Sequence, residues 1–273
     1  MVGMTPLFRS LFVCLWDSSP GTARRSAAGR PEYRQTHLER SEERVVLSAN
    51  GTDFVTALYS DILNRAPDQA ALHDYNSQLQ GGAPPVSVVR SIWDSAEHRG
   101  IQIDGFYQTL LHRAADPEGR QFWINEMLSG VPEETVVVEF VTSVEYVQHN
   151  PLGETYVTAL YHDILGRSPD SEGLTSWTDL ADDGQVLVIS EGFPPAHYLS
   201  DTVVARDFIN SHEHHLKLVD SFYANFLQRS VDSAGEVDIV QALDQGQAND
   251  ESVALAFMSS TEFVNHHPHT PQS

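Results

Sequence analysis

Along most of this chain apolar residues recur at intervals of three and four, the spacing that lays one stripe along a helix. Val55, Leu58, Tyr59, Ile62 and Leu63 make the first stripe. Val88, Val89, Ile92 and Trp93 make another, and Val136, Val137, Phe140 and Val141 repeat it later. Between them lie amphipathic stretches whose inward residues are expected to include Phe122 with Trp123, and Leu174 with Trp177. The pattern predicts an all-α chain whose helices come in sets of three.

The sets are copies of one another. Tyr59, Tyr107, Tyr161 and Tyr223 each stand six residues before Arg65, Arg113, Arg167 and Arg229, which stand three before Asp68, Asp116, Asp170 and Asp232. Seven residues past each Asp comes Tyr75, Trp123, Trp177 or Ile239, and fourteen past it comes Gly82, Gly130, Gly184 or Gly246. Each copy closes on Ser-x-Glu, ending at Glu97, Glu145, Glu213 and Glu262. The Arg is expected in the last turn of helix one, where exposed carbonyls favour a cation, and Pro67 and Pro169 forbid continuation. The Asp is expected to cap helix two, with Pro117 and Glu118 suited to its first turn. The later glycine suits a left-handed helix exit, and Ser-x-Glu caps the way into the next copy. Of the two carboxylates near each Arg, the Glu is the expected partner, because the Asp is engaged by backbone N–H groups.

Residues 54–68 match 156–170 at eleven of fifteen positions, and Asp104-Gly105-Phe106-Tyr107 echoes Asp220-Ser221-Phe222-Tyr223. Odd copies resemble odd and even resemble even, so two similar halves, 51–153 and 154–269, point to duplication of a two-copy ancestor. The outer copies depart most, with Ala71 for the mid-helix Gly and with Val231 and Ile239 for Pro and Trp. Terminal repeats are expected to differ because one face has no neighbour. Copy three carries an insertion near 185–200, containing Val186-Leu187-Val188-Ile189 and Phe193-Pro194-Pro195, expected as an irregular loop.

The run from Tyr161 through Ile164-Leu165-Gly166-Arg167, Pro169-Asp170 and Gly173-Leu174 to Trp177, with the closing Ser143 to Tyr146, resembles the domain of unknown function 4214 family. The resemblance covers residues 54–265. It implies a helical protein of the exported and surface-associated bacterial class with no established enzymatic role. That family is also similar to the linker domains of phycobilisomes, which join other proteins.

Charge sharpens this picture. The formal net charge is −22, and residues 51–273 carry nine basic residues against thirty-three acids. Such a surface repels phosphate backbones and anionic lipid, so nucleic acid is not an expected partner and membrane insertion is not expected. The single cysteine, Cys14, excludes an internal disulfide and a cysteine zinc site. Residues 1–50 lack the repeat and read as a disordered arm, and 270–273 as a tail. Within the arm, Leu7 to Trp16 is too short to span a bilayer and lacks the flanks of a signal peptide. Leu38 to Ser48 resembles the LEPR-XLL type of export signature, with Ser41 where Leu is expected.

No catalytic residue, metal ligand or cofactor is assigned. One Asp per corner is far from a calcium ligand set. The clusters His212, His214, His215 and His266, His267, His269 lack the pair one helical turn apart that metalloprotease spacing needs. Trp93, Trp123 and Trp177 read as core. Phe193 and Tyr198 lie outside the helical pattern and are the candidate partner contacts. The expected function is a non-enzymatic interaction or scaffolding module, exported or at the cell surface, with a protein or glycan partner. The alternative is a carbohydrate-binding module using the inserted loop.

Overall fold

The structure is a computed structural model that describes residues 51–182 and 197–266. The arm, its export-like signature, Gly184, most of the insertion including Phe193, and the tail lie outside the described residues.

Fourteen helices make up the described chain, and no strand occurs among the described residues. Copy one contains α1 (residues 51–63), α2 (Gln69–Gln80) and α3 (Pro85–Trp93). Copy two contains α4 (Ala96–Leu110), α5 (Pro117–Leu128) and α6 (Glu133–Val141). The short α7 (Val144–His149) leads to copy three, which is α8 (Glu154–Asp163), α9 (Ser171–Asp182) and α10 (His197–Ile209). Copy four is α11 (His212–Phe226), α12 (Ser233–Asp244) and α13 (Asp250–Met258), and α14 (Thr261–His266) closes the chain.

The local chemistry sets these bounds. Each Ser of Ser-x-Glu accepts a backbone N–H three residues on, at His98, Tyr146, His214 and Phe263, and so starts a helix. In α4 and α11 that helix runs straight into helix one of its copy. Between α7 and α8 it breaks at Asn150-Pro151-Leu152-Gly153, where proline removes a donor and Gly153 takes φ +93°. Asp68, Asp116, Asp170 and Asp232 each accept the N–H three residues ahead at 2.8 Å and start helix two. Gly82, Gly130 and Gly246 leave helix two with positive φ.

Three expectations are corrected here. The Arg is not in the last turn of helix one but two to four residues beyond it, since α1, α4, α8 and α11 end before Arg65, Arg113, Arg167 and Arg229. Phe122 points outward, 54% exposed, and Trp123 alone of that pair packs on the core. Residues 197–200 form the first turn of α10, so the irregular stretch ends sooner than the composition suggested. Pro194 and Pro195 stand just upstream, where proline is compatible with an impending helix start. Tyr198 therefore lies in a helix.

Packing divides the chain into two compact units that cut across the duplicated halves. One unit combines the described residues up to Trp93 with Phe222–Asp238 and those from Ser252 on. Its buried residues include Phe54, Leu58, Ile92, Tyr223 and Leu255, and Phe54 meets Phe263 edge-on at 6.2 Å. Segments of the first and last copies thus bury each other. The reason given above for their divergence, a terminal face with no neighbour, does not hold. The other unit is Asp94–Ser221 with Ile239–Glu251, built on a core that includes Ile103, Tyr107, Phe140, Tyr146, Tyr156 and Leu160.

Candidate functional site

Helix one ends the same way in every copy. Asn64, His112, Gly166 and Gln228, each just before the Arg, have φ between 51° and 60°. One left-handed residue turns the chain back, so that the Arg N–H reaches the Tyr carbonyl six residues earlier: Arg65 to Tyr59, Arg113 to Tyr107, Arg167 to Tyr161, Arg229 to Tyr223, at 3.2–3.4 Å. This left-handed exit, closed by a bond spanning six residues, explains why the Tyr-to-Arg spacing never slips. Such exits usually bring an apolar pair together. Here the guanidinium lies over the Tyr ring, 4.6–5.0 Å from its centroid in all four copies.

The same guanidinium holds the next copy's helix. Arg113 grips Glu145 with two bonds of 2.5 and 2.8 Å, and Arg167 grips Glu213 at 2.5 and 2.6 Å. Arg229 does so with Glu262, and the remaining nitrogen of each donates to the following carbonyl, of Ala114, Ser168 or Ser230. Arg65 likewise donates to the Ala66 carbonyl. The capping Asp is a weaker neighbour, 3.6 Å away in copies two and three and 3.2 Å in copy four. These pairs are only half-buried: Arg side chains are 32–38% exposed in these three copies.

Electrostatics follow the geometry. Bonding to the Glu raises Arg113, Arg167 and Arg229 above the usual arginine value, and bonding to the Arg holds Glu145 and Glu213 below the usual carboxylate range. The backbone N–H of the following glycine lowers Asp116, Asp170 and Asp232. Burial raises Tyr107 and Tyr161 and pushes Tyr223 up to about 12. A guanidinium whose three nitrogens are all engaged, a phenol that stays protonated and a capping carboxylate form a clamp on the helix corner. None is poised for proton transfer near neutral pH.

The repeat also contains a phenylalanine at a fixed place, of which only Phe140 stood out in a sequence stripe. Phe140, Phe208 and Phe257 meet Tyr107, Tyr161 and Tyr223 edge-on at 4.9–5.0 Å. Each stands three residues before the Ser of Ser-x-Glu, a spacing that could have exposed them. Trp123 and Trp177 pack on Phe140 and Phe208 at 5.4 and 5.1 Å, and Trp93 is buried. The glycine three past Asp is also explained. A Cβ at Gly119 or Gly173 would collide with the hydroxyl of Tyr107 or Tyr161.

Two further groupings lie in the larger unit. His212 and His215, three residues apart on α11, both place Nδ1 2.7 Å from the carboxylate of Asp244. The two histidines thus share one side of α11 at a three-residue spacing, which is not the four-residue spacing of a metalloprotease pair. Asp244 sits below its usual range, lowered by these imidazoles against the opposing effect of burial. No three His, Cys, Asp or Glu among the described residues converge closely enough to hold a metal ion.

The second grouping is a cavity of about 200 Å³ walled by Phe106, Leu110, Val137, Ile164, Ile209 and Leu218. Glu133, Glu134, Asp163, Asp250 and His214 supply its polar lining. Burial pushes Glu133 up to about 7, with Asp250 and Glu134 adding to it, and burial also raises Glu134 and Asp163. Arg99 sits behind this wall, 5% exposed, bonded to Asp94, Gln102 and Glu251. No stripe or motif marked this cavity, because its lining comes from six separate stretches of chain.

No described helix is long and apolar enough to cross a membrane. No curated protein and no solved structure matches the chain. The family described as Domain of unknown function (DUF4214) matches it four times, over residues 41–101, 102–150, 146–187 and 200–267. These matches span most of the chain, and the protein belongs to the DUF4214 family.

Proposed function

We propose that the chain is a non-enzymatic helical-repeat module that joins or presents other proteins, exported or at the bacterial cell surface. The observation that carries this reading is that the repeated polar residues serve the fold. In copies two to four the Tyr, Arg, Asp and Glu bind one another and the backbone, and no reactive grouping recurs with the repeat. What varies between copies is then the outer surface, which is where a partner is met. The LEPR-XLL-like stretch Leu38 to Ser48 supports export, and the charge of −22 favours a basic partner face. Affinity capture with the full chain from a cell-surface extract tests the reading. One saturable protein partner is expected. Turnover across a substrate panel with no protein recovered would overturn it. The carbohydrate alternative rests on Phe193 and Tyr198, and specific retention on a glycan array would favour it instead.

A further inference from the structure

We infer that the cavity in the larger unit is a binding site for a primary alkylammonium group carried on a short aliphatic stem. Four carboxylates, Glu133, Glu134, Asp163 and Asp250, meet there with one imidazole, His214. The charged groups behind them offset this only in part: Arg99, which favours the charged form of Glu133, is already bonded to Asp94 and Glu251, and beside Asp163 stand only the imidazoles of His112 and His162. Three of the carboxylates are oriented by neutral donors: Gln102 to Glu133 at 2.7 Å, Tyr146 to Asp163 at 2.8 Å, and the Asp250 N–H to Glu134 at 3.2 Å. Such donors fix position without supplying positive charge. The imidazole Nε2 of His214 is shielded from solvent, has no hydrogen-bond partner, and stands 3.6 Å from Asp250.

The wall decides the ligand class. A bare metal ion would need converging oxygens, which these residues do not provide. An ammonium instead offers a compact charge with three donors that can serve carboxylates spread around a rim. Its stem would lie on Phe106, Leu110 and Ile209, as lysine stems lie on apolar surface elsewhere. At about 200 Å³ the space is smaller than a drug-sized site and suits one short chain. A bound cation would also relieve the cost that keeps Glu133 protonated near neutral pH, so binding should release protons.

Titration of the full chain with 1-pentylammonium chloride, followed by calorimetry and amide chemical shifts, tests this. Saturable one-to-one binding at least about tenfold tighter than that of 1-pentanol is expected, strengthening from about pH 6 to about pH 8. Shifts should concentrate at Glu133, Glu134, Val137 and Ile164, and Glu134→Gln should weaken binding about fivefold or more with the thermal midpoint unchanged or raised. Separate titrations with 1,5-diaminopentane and a lysine-containing peptide identify the carrier, a free amine or a partner's side chain. Equal binding of pentanol, no saturation at millimolar amine, or shifts lying elsewhere on the wild-type protein would each overturn the inference. The shift map stands even if the Gln variant fails to fold.

Discussion

Replacing Arg229 and Glu262 by alanine, singly and together, measures the clamp where it is best shielded. The side chains are 32% and 26% exposed, and Tyr223 beneath the guanidinium is fully buried. Exposed ion pairs contribute about 0.2–1 kcal/mol, and breaking a buried one costs about 3–5. A half-buried, two-bonded pair belongs between, so the Arg229–Glu262 coupling should be about 1–2 kcal/mol. Stacking on Tyr223 adds about 0.5–1 and the bond to the Ser230 carbonyl about as much, so Arg229→Ala should cost about 2–4 kcal/mol in all. Glu262→Ala should cost less, and the double variant should cost less than the two added together. Arg229→Lys keeps the charge but loses the fork and the flat stack, so it should recover under half of the loss. Urea unfolding of all variants gives the cycle. A coupling below about 0.5 kcal/mol, or an equal coupling of Arg229 to Asp232, would refute the assignment of Glu as the structural partner.

Gln228→Gly should stabilise by about 0.5–1 kcal/mol, because Gln228 holds φ +51° at a cost that glycine avoids; a lower thermal midpoint would contradict this. Gly173→Ala should cost about 1–3 kcal/mol by forcing the Tyr161 hydroxyl aside, and Tyr161→Phe in the same chain should restore much of it. Glu133 binds its proton more tightly folded, at about 7, than unfolded near 4.5, so it lowers stability progressively as pH rises between those values and by a constant amount above. Glu133→Gln should therefore match the parent near pH 4 and exceed it near pH 8 by up to about 3 kcal/mol, which denaturant midpoints at the two pH values check. Carboxylates sharing the cavity will reduce that figure, and no difference at pH 8 would show that Glu133 is well solvated.

What the sequence by itself determined was periodic and local. The three- and four-residue spacing of Val55, Leu58 and Ile62 specifies helices, and the capping Asp and Ser mark their starts, because each acts through its own neighbouring backbone. The Arg-to-Glu partnership was legible too, since the capping Asp was already engaged by backbone N–H groups and the Glu of Ser-x-Glu closes every copy. The position of the Arg beyond the helix was not legible. Asn64 and Gly166 hint at a left-handed exit, but His112 and Gln228 adopt the same φ although neither residue type marks it in the sequence. The packing units and the cavity were decided by tertiary structure alone. Burial of Phe54 against Phe263, and the meeting of Glu133 with Asp163 and Asp250, depend on which helix faces come together over long stretches of chain. Hydrophobic burial is non-directional, so a stripe says that a face will be covered and not by what.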